Sequence, residues 1–148
     1  MIEGTRKRPI RLWVAALMNI LVAGLSLGLL VFLAASARAP EALRPSAAAM
    51  AMAASVACFL TVASVLALLG KRHGGYLMLL AALIFYGILI EQSAAALGAD
   101  TVGLDQATRI KLLSNVVRTA LELLVNLWAV LSSRTRQFFA VSASTPET

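Results

Sequence analysis

Four long apolar stretches, separated by short polar connections, dominate the sequence. They run approximately from Leu12 to Ala35, from Ala47 to Leu69, from Tyr76 to Leu97 and from Ile110 to Leu131. Each approaches or exceeds the roughly 20 residues that a helix needs to cross a hydrocarbon core of about 30 Å. The pattern therefore predicts an all-α integral membrane protein. We expect residues 1–148 to form a single membrane domain in which the four transmembrane helices make a compact bundle, flanked by short basic tails.

The first apolar stretch has some features of a secretory signal. Basic residues from Arg6 to Arg11 precede it, and Ala35-Ser36-Ala37 resembles a cleavage site. However, the apolar core of a signal peptide holds only about 7 to 15 residues. The length of this stretch favours a retained transmembrane helix over a cleaved signal.

The fourth stretch differs from the others because it carries a row of polar side chains. We call this row the polar stripe; it consists of Lys111, Asn115, Arg118, Glu122 and Asn126. Their spacings of four, three, four and four residues place all five on one helical face. A charged side chain at the centre of a membrane helix costs about 2.5–3.5 kcal/mol. The stripe therefore needs protein partners or a wet cavity, and it is the candidate functional site.

Counting residues inward from the helix ends predicts which polar groups meet. Asn19 and Asn126 lie at similar depths, which allows a hydrogen bond between the first and fourth helices. Near the other side of the membrane, Glu91 and Arg118 are also close in depth, and Glu122 lies one helical turn from Arg118. The sequence thus predicts a cluster of Glu91, Arg118 and Glu122. This cluster fixes the packing of the helices, forms a pathway for a solute, a proton or a lipid headgroup, or is completed by a partner subunit.

The distribution of Lys and Arg predicts the orientation. Eight of them lie in the two tails and the second connection, and four lie in or beside the first and third connections. Because short segments rich in Lys and Arg stay in the cytoplasm, we expect both termini on the cytoplasmic side of a bacterial-type inner (plasma) membrane. Trp13, Tyr76 and Trp128 lie near the helix ends assigned to that side, as interfacial aromatic residues do.

Glycines predict two packing features. Gly24 and Gly28 form a G-x-x-x-G pair in the first helix, which we expect to pack within the monomer rather than in a dimer interface. Gly70, Gly74 and Gly75 predict a tight turn between the second and third helices.

The basic segments at the two ends have two interpretations. Residues from Arg6 to Arg11 and from Arg134 to Phe139 either anchor the adjoining helices, which is the favoured interpretation, or bind anionic lipid headgroups. Membrane lipids are therefore predicted partners. The net charge of +6 does not indicate a nucleic-acid partner, because the basic residues lie at helix ends and in connections without a nucleic-acid-binding motif.

Composition limits the chemistry. The chain has one His and one Cys, which excludes a self-contained His/Cys metal site and a redox cysteine pair. We expect no metal, no cofactor and no enzymatic activity, since no nucleophile has a base nearby in sequence. The sequence instead predicts an accessory or interaction subunit that binds a partner membrane protein. The alternative is a minimal transporter or channel subunit, acting as a homo-oligomer, in which the polar stripe handles a solute, a proton or a lipid-linked substrate.

Overall fold

A computed structural model describes residues 9–36, 46–71, 73–98 and 106–142, with side chains up to residue 139. These ranges hold the helices α1 (Ile10–Ala35), α2 (Ala47–Leu68), α3 (Gly74–Gly98), α4 (Gln106–Leu131) and α5 (Ser133–Ser142). The first four are long and apolar enough to cross a membrane. The predicted fold of four transmembrane helices is confirmed, and the predicted limits differ from the observed ones by at most four residues.

The four spanning helices form a bundle in chain order. α1 packs on α2, α2 on α3 and α3 on α4, while α1 and α4 meet over a shorter stretch. Because the connections are short compared with the helices, successive helices run in opposite directions. We call the end of the bundle where α1 and α3 begin and α2 and α4 finish the basic end. The opposite end is the far end.

The core is concentrated in the half of the bundle nearer the basic end. The buried positions of α1 stop at Ala23, although the helix continues to Ala35. Small and medium side chains from the other helices complete this core, including Leu60, Met78 and Ala129. The far half is more open and contains a mainly apolar cavity of about 330 Å³ between α1, α2 and α3.

The turn between α2 and α3 is built on glycines, as predicted. Gly70 adopts a φ of 72°, a left-handed conformation that favours glycine. Its N–H donates to Ala67 O at 3.1 Å, which helps to end α2. Gly74 then starts α3 so close to α2 that a Cβ atom would lie 2.7 Å from Ala67 N. Glycine therefore allows both the reversal of the chain and the close contact of the two helices.

The prediction that Gly24 and Gly28 pack within the monomer is wrong. Both residues are exposed, and a Cβ atom built on either would have nothing within 4 Å. A G-x-x-x-G spacing aligns two glycines along a helix but does not determine which way that face points. Here the face is turned away from the bundle.

The C-terminal tail, which the sequence predicted only as a short basic segment, contains the short helix α5. Ser132 precedes α5, and its Oγ accepts a hydrogen bond from Thr135 N at 3.4 Å. Phe139 is buried and packs on Gly75, where a Cβ atom would lie 2.7 Å from its ring. This contact holds α5 against the start of α3, at the basic end of the bundle.

Candidate functional site

The polar stripe of α4 divides into an inward and an outward part. Asn126 is fully buried and Glu122 is partly buried, while Lys111, Asn115 and Arg118 are exposed. Lys111 and Arg118 lie nearer the far end of the bundle than Glu122 and Asn126 do. The stripe thus joins the core of the protein to its outer surface.

The inward part is centred on a pair of asparagines. Asn19 Nδ2 donates to Asn126 Oδ1 at 2.7 Å, and Asn126 Nδ2 donates back to Asn19 Oδ1 at 3.0 Å. The hydrogen bond predicted between α1 and α4 is therefore present, in a reciprocal form. Asn126 Nδ2 also donates to Glu122 O at 2.9 Å, which fixes the orientation of its amide.

Two further side chains extend this pair to the other helices. The Tyr86 hydroxyl donates to Asn19 Oδ1 at 2.9 Å, and Asn19 Nδ2 lies 3.3 Å from Ser64 Oγ. We call Asn19, Ser64, Tyr86 and Asn126 the asparagine hub. The hub links α1, α2, α3 and α4, and each of its members is fully buried. Among the described residues, no buried side-chain polar atom lacks a hydrogen-bond partner.

The sequence did not single out Tyr86 or Ser64. Tyr86 lies at the middle of α3, where a phenol hydroxyl needs a hydrogen-bond partner because water and headgroups are distant. The position of Tyr86 in the middle of an apolar stretch was therefore sufficient to predict a buried hydrogen bond. Ser64 offers no comparable indication, since serine is common among the small residues of membrane helices.

The outward part contains an ion pair. Arg118 Nε lies 2.9 Å from Glu122 Oε1, and the two side chains are 64% and 14% exposed. Arg118 lies at the midpoint of α4, a helix that is long and apolar enough to cross a membrane. This geometry is the i, i+4 pair that the sequence predicted within α4.

The predicted inclusion of Glu91 in this cluster is wrong. Glu91 is exposed, and the ion pair that the structure describes for Arg118 is with Glu122. Glu91 follows the buried Tyr86 by five residues, which is a rotation of about 140° around α3. Its depth is compatible with Arg118, but its side chain leaves the other face of the helix.

Asn115 makes a second contact between α3 and α4. Its Nδ2 donates to Ser93 Oγ at 3.0 Å, in the far half of the bundle. Ser93 is buried whereas Asn115 is exposed, so this bond lies at the edge of the helix interface. Asn115 therefore belongs to the packing of α4 on α3.

The chemistry available at the site is mainly that of amides, hydroxyls and one ion pair. The described residues contain no group of three or more His, Cys, Asp or Glu side chains that could hold a metal ion. The hub satisfies its own hydrogen bonds, whereas Arg118 directs its charge outward. Comparison with protein-family models, curated proteins and solved structures finds no match to this chain.

Proposed function

We propose that this small multi-pass membrane protein is an accessory subunit of a larger assembly in a bacterial-type inner membrane. In this proposal, a transmembrane helix of a different protein docks on the outward part of the polar stripe. The exposure of Arg118 carries the proposal, because 64% of a cationic side chain is uncovered at the middle of a spanning helix. The apolar neighbours Val117 and Leu121 are also exposed, which supports a mixed polar and apolar contact surface.

The free-energy cost of placing the Arg118 charge in the hydrocarbon core supports a protein partner rather than lipid at this surface. A charged side chain at the bilayer centre costs about 2.5–3.5 kcal/mol on insertion scales. The 2.9 Å contact with Glu122 offsets part of that cost, but 64% of the Arg118 side chain remains uncovered. A partner that supplies further hydrogen-bond acceptors lowers the cost, whereas lipid tails supply none.

The positive charges of Lys111 and Arg118 support a partner that is a different protein rather than a second copy of this chain. Lys111 and Arg118 lie one heptad apart on the exposed face, and Glu122 is the acidic side chain beside them. In a two-fold symmetric dimer about the membrane normal, the same residues face each other at the same depth. That arrangement brings Arg118 towards Arg118 of the second copy. A helix that carries a carboxylate at this depth is the better complement.

The buried polar groups favour a structural role over a transport path. The hub is closed, since the amides, the phenol and the serine hydroxyl bond to one another. A path for an ion or a solute requires polar groups that exchange partners with water. The described cavity of about 330 Å³ is lined mainly by apolar side chains, which suits lipid tails better than an ion.

Site-specific crosslinking in native membranes tests the proposal. A photo-reactive residue at Leu121 lies beside Arg118, and the same residue at Val62 on α2 is the matched control. The two positions are 57% and 56% exposed, so their access to neighbours is similar. We expect one heterologous membrane protein to crosslink from position 121 and not from position 62. Arg118→Gln should then reduce that crosslink.

Three results contradict the proposal. Crosslinks from position 121 to lipid alone show that no protein covers the stripe. Equal capture from both positions shows that contact is unspecific. Crosslinks only to a second copy of the chain favour the homo-oligomeric transporter or channel subunit.

A further inference from the structure

A cleft lies at the basic end, between the start of α1 and the end of α4. We call it the interfacial cleft; its volume is about 500 Å³, and it is lined by Arg11, Leu124, Leu127, Trp128, Leu131, Ser132 and Ser133. The apolar members follow α4 from its end towards the middle of the membrane. The polar members lie at the mouth, where helices meet the headgroup layer. The cleft therefore has the polarity profile of a phospholipid, with a polar mouth and an apolar wall.

Arg11 is held at the mouth by an aromatic ring. Its Cζ atom lies 4.0 Å from the centroid of the Trp128 ring, so the cation lies over the face of the indole. A contact with the ring face does not require the N–H groups of the guanidinium, which form a rigid, planar fork of donors. That fork matches two oxygens of a phosphate group. Arg11 is thus positioned to bind a phosphate before any ligand arrives.

Hydroxyl groups and a helix end complete the polar mouth. Ser132 and Ser133 line the cleft directly below α5, which begins at Ser133. The first N–H groups of a helix carry a partial positive charge, which favours an anion in front of them. The hydroxyl of Ser133 can donate to a phosphate oxygen at the same place.

The charge of the basic end favours an anionic ligand. Residues 9–13, 66–71, 73–78 and 128–142, which are the described segments at this end, contain no Asp or Glu. Five exposed basic side chains lie in them: Arg11, Lys71, His73, Arg134 and Arg136. Basic residues near a membrane surface attract anionic lipids, and the effect extends over about a Debye length. A zwitterionic headgroup gains less from such a field.

We propose that the interfacial cleft binds one anionic phospholipid. Its phosphate contacts Arg11 and the hydroxyl of Ser133, and one acyl chain lies along Leu124 and Trp128. Both of these apolar side chains are more than half exposed on the monomer, at 57% and 55%. This site is on a different part of α4 from Arg118, and it does not depend on the proposed partner protein.

Quenching of Trp128 fluorescence by brominated lipids tests the proposal. The full-length protein with Trp13→Phe is reconstituted into phosphatidylcholine vesicles that contain either brominated phosphatidylglycerol or brominated phosphatidylcholine. We expect stronger quenching by phosphatidylglycerol at equal mole fraction. Arg11→Gln should reduce this preference more than about tenfold, because the variant loses a direct charge-assisted contact with the phosphate.

A matched variant separates the cleft from general surface charge. Arg136→Gln removes the same charge from an exposed position of α5 that does not line the cleft, and the preference should fall by no more than about fivefold, the effect of a surface charge without direct contact. Ser133→Asp places a negative charge in the mouth and should abolish the preference. Native mass spectrometry of the unaltered chain should show one retained phosphatidylglycerol.

Several results overturn the proposal. An equal loss of preference in Arg11→Gln and Arg136→Gln shows diffuse attraction without a site. An unchanged preference in both Arg11→Gln and Ser133→Asp shows that the cleft does not bind the headgroup. Displacement of the lipid by inorganic phosphate at millimolar concentration shows a site for a soluble anion.

Discussion

Replacing the central residue of the asparagine hub should weaken the whole bundle. Asn19 takes part in four hydrogen bonds, which reach Ser64, Tyr86 and Asn126 on three different helices. Hydrogen bonds between membrane helices average about 0.6 kcal/mol, so four of them contribute roughly 2.4 kcal/mol. Asn19→Ala should lower the free energy of unfolding by about this amount, with an additional cost for the small cavity. Tyr86→Phe removes a single bond and should cost about 0.6 kcal/mol.

The measurement is reversible unfolding of the full chain by sodium dodecyl sulfate in mixed micelles. A double-mutant cycle isolates the energy of the hydrogen bonds from the cost of the cavities. The cavity left by each substitution is present in its single variant and in the double variant, so its contribution to the free energy of unfolding cancels. Asn19 and Asn126 share two hydrogen bonds, so their coupling energy should be roughly 1.2 kcal/mol. The control cycle pairs Asn19 with Asn115, which bonds to Ser93 instead, and it should be additive within about 0.5 kcal/mol. If both cycles are additive, the hub does not hold the bundle together.

Three further predictions follow from the packing and the charges. Gly74→Ala should destabilise the bundle by about 1–3 kcal/mol, because its Cβ would meet backbone atoms at 2.7 Å. Gly24→Ala is the control and should be neutral in the same unfolding assay, because its Cβ would meet no atom within 4 Å. Equal effects of the two substitutions would contradict this packing. Arg118→Leu should cost about 1.5–3 kcal/mol by removing the partner of Glu122. Adding Glu122→Leu should restore stability, while Glu91→Leu alone should change little. Reporter fusions at the C-terminus and in the first connection should place the C-terminus in the cytoplasm, and a periplasmic C-terminus would refute the predicted orientation.

The helices were predictable because apolar length is set by the thickness of the bilayer. The α2–α3 turn was also predictable, since glycines at its ends allow conformations and contacts that other residues resist. α5 was not predicted, because ten mainly polar residues form a marginal helix on their own. Its docking depends on Phe139 meeting the space above Gly75, a contact between segments far apart in the chain.

The sequence correctly predicted that Asn19 and Asn126 lie at the same level of the bundle, but it did not predict towards which helix every polar side chain of the site points. Counting residues along each helix brought Asn19 and Asn126 to the same level, and the structure joins them. The same counting brought Glu91 to the level of Arg118, where the structure does not join them. Depth follows from helical rise alone, whereas direction depends on the rotation of each helix in the bundle. A buried residue on the same helix, such as Tyr86, fixes that rotation once its partner is known.

The hydrogen bonds of Asn19 also set an order of events during synthesis. Its partners Ser64, Tyr86 and Asn126 follow it by 45, 67 and 107 residues. At about 5–20 residues per second, the ribosome takes roughly 5–20 s to deliver the last of them after Asn19. During that interval the amide of α1 is already in the membrane and satisfies only part of its hydrogen bonding, first through α2 and then through α3. The arrival of α4 completes the hub, because Asn126 supplies the last two hydrogen bonds of Asn19.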